Sequence, residues 1–123
     1  MDFAKNSFAV VGASNNLEKY GFKVLNAILK KTKNVYPINP KENEILGLKC
    51  YKELSEIKEN VNVIVFVVPP SVTLEILEKN FSRKSLFWFQ VGSFDESVIN
   101  FCEQNGLEYE NKKCIIKESE KTN

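Results

Sequence analysis

The chain contains no histidine at all. A Ser–His or Cys–His nucleophile pair, a phosphohistidine and a histidine-ligated metal are therefore excluded from its chemistry. Its cysteines number three, Cys50, Cys102 and Cys114, widely spaced and without a CxxC pair. That pattern argues against a disulfide framework or a zinc site and makes a reducing, cytoplasmic setting the expectation. Charge of one sign is missing too: seventeen basic and sixteen acidic residues leave a net charge of +1. Without a basic half or stripe there is no long-range field for non-specific nucleic-acid binding, so no nucleic-acid partner is expected. The longest apolar run, Val61 to Pro70, is far shorter than the about 20 residues of a membrane span, and no membrane partner is expected. The start, Met1-Asp2-Phe3-Ala4-Lys5, lacks the parts of a cleavable signal. Any chemistry must rest on Asp, Glu, Lys, Tyr or Cys.

What is present suits a folded domain. At 123 residues and 43% hydrophobic, with nine phenylalanines, one compact domain with a real core is expected. Ser7-Phe8-Ala9-Val10-Val11 reads as a buried strand stopping at Gly12, and Ser14-Asn15-Asn16 as a polar, helix-capping turn. Val24, Leu25, Ile28 and Leu29 recur at helical spacing between Tyr20 and Lys31. A second strand over Asn34-Val35-Tyr36-Pro37-Ile38 closes at Asn39-Pro40, and a loop with Gly47 leads to Lys49-Cys50-Tyr51. Leu54 and Ile57 suggest a short helix. Val61 to Val68 is the strongest strand signal, ended by Pro69-Pro70, after which Ser71 caps a helix carrying Val72, Leu74, Ile76, Leu77 and Phe81. Residues 85–91 form a fourth strand ending at Gly92. Asp95 caps a helix that Gly106 stops. Leu107-Glu108-Tyr109 and Lys113-Cys114-Ile115-Ile116 read as short final strands, and the tail from Lys117 as frayed.

Apolar strands alternating with helices predict an α/β fold: a doubly wound, mostly parallel sheet in three layers, spanning residues 1–123 as one domain. In such sheets ligands bind beyond the carboxyl ends of the strands, where the strand order reverses. Gly12 allows a tight turn there, Ala13 and Ser14 let a phosphate approach the backbone, and Lys19 and Gly21 lie near the next helix start. The same turn is also compatible with a plain strand–helix connection. The match to GxGxxG is poor, since position 14 is serine and the next glycine, Gly21, comes nine residues after Gly12. The second strand ends in Asn39-Pro40-Lys41, where a dinucleotide site places an acid for the ribose hydroxyls. Lysine suits a ribose phosphate instead, as in NADP or coenzyme A, and disfavours NAD.

Val10-Val11-Gly12-Ala13-Ser14, Lys19-Tyr20-Gly21, Tyr36-Pro37-Ile38-Asn39-Pro40-Lys41, Glu44-Ile45-Leu46-Gly47, Val67-Val68-Pro69-Pro70 and Trp88-Phe89-Gln90-Val91-Gly92 follow in order. With them the chain resembles the stand-alone CoA-binding domain family, related to the N-terminal domain of the succinyl-CoA synthetase alpha subunit and of ADP-forming acyl-CoA synthetases. The resemblance runs from about Phe8 to Glu118. It implies a Rossmann fold with coenzyme A, or an acyl-CoA, lying across the strand tips. By the resemblance Gly12, Ala13 and Ser14 line the phosphates, with Lys19 as a charge partner and Gly21 nearby. Asn39, Pro40 and Lys41 approach the adenosine and its 3′-phosphate, Val68, Pro69 and Pro70 flank the ligand, and Gln90 and Gly92 sit toward the pantetheine. The chain departs from the family in having Leu17-Glu18 before Lys19, where a proline is frequent, and it lacks the relay histidine of the synthetases.

The expected function is therefore non-catalytic binding of coenzyme A or an acyl-CoA, as a carrier, sensor or subunit, with a homodimer or protein partner left open. The alternatives are an NADP-dependent oxidoreductase fragment and a thiol-based regulatory protein acting through Cys114. Trp88 is expected in the core rather than stacked on adenine, and Cys114 as a buried, inert thiol.

Overall fold

Successive residues of each strand face opposite sides of a sheet, and this chain fills both sides with apolar groups. In the computed structural model, which describes residues 1–121, β1 (Phe8–Val11), β2 (Val35–Ile38), β5 (Val63–Phe66), β6 (Leu86–Phe89) and β7 (Tyr109–Glu110) pair in parallel in the order β2-β1-β5-β6-β7. The chain runs outward from β1 to β2, then back past β1 to β5, so the order reverses between β1 and β5.

Phe8, Val10, Val63, Val65 and Trp88 point to one face, where α1 (Tyr20–Leu29) contributes Val24, Leu25 and Ile28, and α4 (Ile115–Glu120) contributes Ile115. Ala9, Val11, Ile64, Phe66, Phe87 and Phe89 point to the other, against α2 (Pro70–Asn80) with Leu77 and α3 (Glu96–Gln104) with Val98 and Cys102. The three-layer Rossmann-like arrangement follows from that two-residue alternation. Trp88 belongs to the core, as expected, and is 3% exposed.

Pro37 stands within β2, which is an edge strand, where a missing N–H costs least. That edge is partly covered: Tyr51 bridges Ile38, donating its N–H to the Pro37 carbonyl, while its own carbonyl accepts from Asn39 N.

Four local expectations are corrected. The loop around Gly47 is an antiparallel hairpin, β3 (Glu44–Ile45) and β4 (Leu48–Lys49). The helix after Pro69-Pro70 is capped by Pro69 rather than Ser71, with Pro70 in its first turn, where an absent N–H leaves no bond unmade. Lys113-Cys114-Ile115-Ile116 does not extend the sheet: Cys114 is the N-cap of α4, because Ile115 and Ser119, four apart, bury together on the α1 side. The tail expected to fray from Lys117 is accordingly helical to Glu120, and residues 122–123 lie outside the described residues. The Asp95 cap is present, its carboxylate accepting from Val98 N at 3.1 Å.

Candidate functional site

Beyond the carboxyl ends of β1 and β2 lies a cavity of about 300 Å³, closed on its far side by α2. Four of the residues singled out in the sequence line it: Gly12, Asn39, Pro40 and Val68. Its walls are mainly aliphatic, from Val11, Ile38, Leu54, Val72 and Ile76, with Lys52, Glu53, Glu75 and Lys79 bringing charge.

Gly12 makes the first wall possible. Its φ of +97° lies in the left-handed region, and a Cβ there would come within 2.8 Å of Val68 Cγ1 and 2.9 Å of Val67 Cγ2. The chain then runs through an extended turn, and α1 begins only at Tyr20. The Gly12 turn and the helix start, which falls at Tyr20 as the spacing predicts, are thus separated by residues 13–19. Ser14 Oγ accepts from Asn16 N at 3.0 Å, and Asn16 Oδ1 accepts from Glu18 N at 3.0 Å, so this polar cluster caps its own loop. Lys19 is the N-cap residue of α1 without a side-chain cap bond, and among the described residues it makes no ion pair with Glu18.

Asn39 ties two strand tips together. Its Nδ2 donates to the buried Ala13 carbonyl at 2.7 Å, and its Oδ1 accepts from Lys41 N at 2.8 Å. The amide therefore sets the spacing of the β1 and β2 tips and presents the exposed Lys41 beyond them. Asn15 adds a second tie, its Nδ2 donating to the Glu42 carboxylate and to Glu44 O.

The remaining sequence candidates fall elsewhere. Gly21 is buried in α1 with its Cα against the Gly12 carbonyl, which gives it a packing role. Pro69 and Pro70 turn the chain into α2 beside the cavity. Gly92 follows β6 in an exposed turn, away from the cavity lining. Gln90, placed toward a ligand by the resemblance, is 1% exposed and engaged within the protein. Its Oε1 accepts from Trp88 Nε1 at 3.0 Å and Ile115 N at 2.8 Å, and its Nε2 donates to Tyr20 OH at 2.6 Å.

Sequence reading missed the α2 and Leu54–Glu56 side of the cavity. Lys52 is held there by Glu42 O and Asn43 Oδ1, at 2.8 and 2.9 Å. A signal existed in α2: Val72, Ile76 and Lys79 recur at helical spacing, off the stripe of Thr73, Leu77 and Asn80 that meets the core.

Cys114 also departs from expectation. It is half-buried rather than enclosed, with its Sγ 3.2 Å from Tyr20 OH and 3.5 Å from Gln90 Nε2. Burial raises its pKa, but hydrogen bonds from Tyr20, the Lys117 backbone, Gln90 and the Ile116 backbone outweigh it and lower the thiol below its ordinary value. Cys50 and Cys102 are buried, and burial pushes both upward.

The strand order defines a Rossmann-like domain, with the cavity beyond the tips of β1 and β2, beside the point where that order reverses. The chain belongs to the CoA binding domain family, whose model matches residues 6–120. It is similar to an ADP-forming acetate–CoA ligase of Methanocaldococcus jannaschii, 37% identical over 73 residues, which are 59% of this chain and 10% of the ligase. The alpha subunit of acetate–CoA ligase II of Pyrococcus furiosus is 36% identical over 76 residues, 61% of this chain and 17% of the subunit. The chain thus spans less than a fifth of the length of these two ligases. Among solved structures, a conserved hypothetical protein of Pyrococcus furiosus superimposes with a TM-score of 0.87 at 42% identity, over 92% of this chain and 98% of that one. Among the described residues no helix is long and apolar enough to cross a membrane.

Proposed function

We propose that the chain binds coenzyme A through its adenosine and phosphates at the tips of β1, β2 and β5, without catalysing a reaction of its own. The cavity at the switch point carries this reading. Its aliphatic walls suit the flat faces of a purine, and it adjoins the Gly12-Ala13-Ser14 turn. Lys41, presented beyond the β2 tip by Asn39, suits a phosphate on the ribose, while the neighbouring Glu42 carboxylate is engaged by Asn15 Nδ2. The pantetheine arm then runs toward the β6 turn, where Val91 is 89% exposed beside Gly92. The absence of histidine supports a binder rather than a phosphate-relaying enzyme. A carrier, sensor or subunit role for coenzyme A, free or acylated, fits the family.

A thermal-shift titration with coenzyme A, dephospho-coenzyme A, NADP and NAD tests the proposal. A ligand that binds only the folded chain raises apparent stability, by about 2.7 kcal/mol at a hundredfold excess over Kd. Coenzyme A should give the largest shift, and Lys41→Ala should reduce it to that of dephospho-coenzyme A. No shift at millimolar coenzyme A overturns the reading, whereas a preference for NADP supports the oxidoreductase alternative. Acyl-CoA formed from ATP, acetate and coenzyme A by the purified chain would overturn the non-catalytic part. An adduct on Cys114 after exposure to coenzyme A disulfide, seen by mass spectrometry, would instead support thiol-based regulation.

A further inference from the structure

The first turn of α1 backs the Gly12 turn, yet it has no side-chain cap of its own. Its position depends on a residue 70 positions away: Tyr20 OH receives a 2.6 Å hydrogen bond from Gln90 Nε2. The orientation of that amide is dictated by its other partners. Trp88 Nε1 and Ile115 N can only donate, so the atom facing both must be the Gln90 oxygen, which leaves the amide nitrogen toward Tyr20. The phenol oxygen accepts from Gln90, and its own proton is free for Cys114 Sγ at 3.2 Å. The Trp88 indole N–H is shared with Lys113 O at 3.0 Å, which ties the residues before α4 to the same point. Three elements, the start of α1, the tip of β6 and the N-cap of α4, thus meet at one buried amide.

Tyr20 is followed directly by Gly21, whose Cα lies so close to Gly12 that a Cβ would stand 1.9 Å from its carbonyl oxygen. Anything that sets Tyr20 therefore sets the back wall of the Gly12 turn. We propose that Tyr20 is a positioning residue for the Gly12–Ser14 turn, held by the Gln90 amide across the end of the sheet. The proposal rests on the reading of that turn as the phosphate-binding part of the site. It assigns Gln90 a role behind the site, in place of the ligand contact that the resemblance implied.

The test compares Tyr20→Phe, which keeps the ring and deletes the hydroxyl, with Gln90→Glu. In the latter, a carboxyl oxygen can accept the Tyr20 proton and keep the strut. Backbone amide resonances of Gly12, Ala13 and Ser14 should move in ligand-free Tyr20→Phe and stay near wild type in Gln90→Glu. Affinity for coenzyme A should fall about fivefold in Tyr20→Phe, in line with one lost hydrogen bond. The ratio of coenzyme A to dephospho-coenzyme A affinity should hold, because the 3′-phosphate lies at the β2 tip. Unmoved amides in Tyr20→Phe, with affinity within twofold of wild type, would overturn the proposal. If the wild-type chain binds no coenzyme A, the functional reading falls, while the ligand-free resonances still decide whether Tyr20 sets the turn. Should Gln90→Glu fail to fold, Tyr20→Phe carries the test by itself.

Discussion

A methyl group on Gly21 would stand 1.9 Å from the Gly12 carbonyl oxygen and 2.9 Å from its carbon. Both are backbone atoms, so no side-chain rotation can relieve the overlap. Gly21→Ala should therefore destabilise the fold by about 3 kcal/mol or more, at the upper end of overpacking costs. Denaturant unfolding of the variant measures this, and a loss under about 1 kcal/mol would show that α1 can shift away from β1. The same contact separates two roles that the sequence left joined. A glycine near a phosphate turn can admit a ligand or admit a helix, and here it admits the helix. Gln90 was misplaced for a similar reason: a polar residue at a strand tip looks available until its partners are known, and those partners lie 70 and 25 residues away.

At the scale of elements, the cavity wall is held by the chain's single arginine. Arg83, just past α2, donates through Nη2 to the carbonyls of Leu54, at 3.0 Å, and Ile57, and through Nη1 to Glu59 O at 3.4 Å. These carbonyls belong to the 3₁₀ turn Leu54–Glu56 and the residues after it, and the turn's Leu54 and Ser55 line the cavity. A planar fork can serve several carbonyls at once, which a lysine ammonium on a flexible stem cannot do in a fixed geometry. Arg83→Lys should cost about 1–3 kcal/mol by leaving carbonyls unsatisfied, with faster hydrogen exchange in residues 54–59. Unchanged exchange there would mean that Leu54 and Ile57 hold the turn by burial instead. Helix positions were legible at this scale, and so was the Asp95 cap, whereas Ser71 and the Ser14–Asn16 cluster carry capping chemistry without capping a helix. The α4 segment was not, because a short apolar run, Cys114-Ile115-Ile116 between two lysines, looks alike as strand or helix until a packing partner selects one.

For the whole molecule, acidic protons that the fold holds on set the alkaline limit: that of the buried Cys102 and that of the exposed but hydrogen-bonded Tyr20 hydroxyl. Burial, aided by Glu103, pushes Cys102 from its ordinary 9.0 up to about 11, and burial with the Cys114 hydrogen bond pushes Tyr20 from 10.0 up to about 12. Their protons leave the unfolded chain first, so above pH 9 the folded state binds more protons and stability falls as pH rises. Cys114 acts in the opposite sense, since its lowered pKa favours the folded thiolate up to the ordinary thiol value. Melting temperature under reducing conditions should therefore hold up to about pH 9 and drop over the next two to three units. Cys102→Val should soften the first part of that drop; a flat profile in wild type would show that the fold does not hold these protons.

The sequence by itself determined the layered α/β architecture, because apolar runs too short to be anything but strands alternate with amphipathic helices. It also pointed to a nucleotide with a phosphate on its ribose, since Gly12 and the acid-free Asn39-Pro40-Lys41 tip are properties of single positions; the ordered motifs of the resemblance then favoured coenzyme A over NADP. Tertiary structure decided which candidates share a site. The cavity joins Gly12 and Asn39 to Leu54, Val72 and Ile76, which lie 15 or more residues from either of them in sequence. It also placed Gln90 among Tyr20, Trp88 and Ile115 and Gly21 against Gly12, and made Cys114 a hydrogen-bonded thiol rather than an enclosed one. Distances between strand tips depend on how the sheet is wound, and one position's chemistry carries no record of what is folded against it.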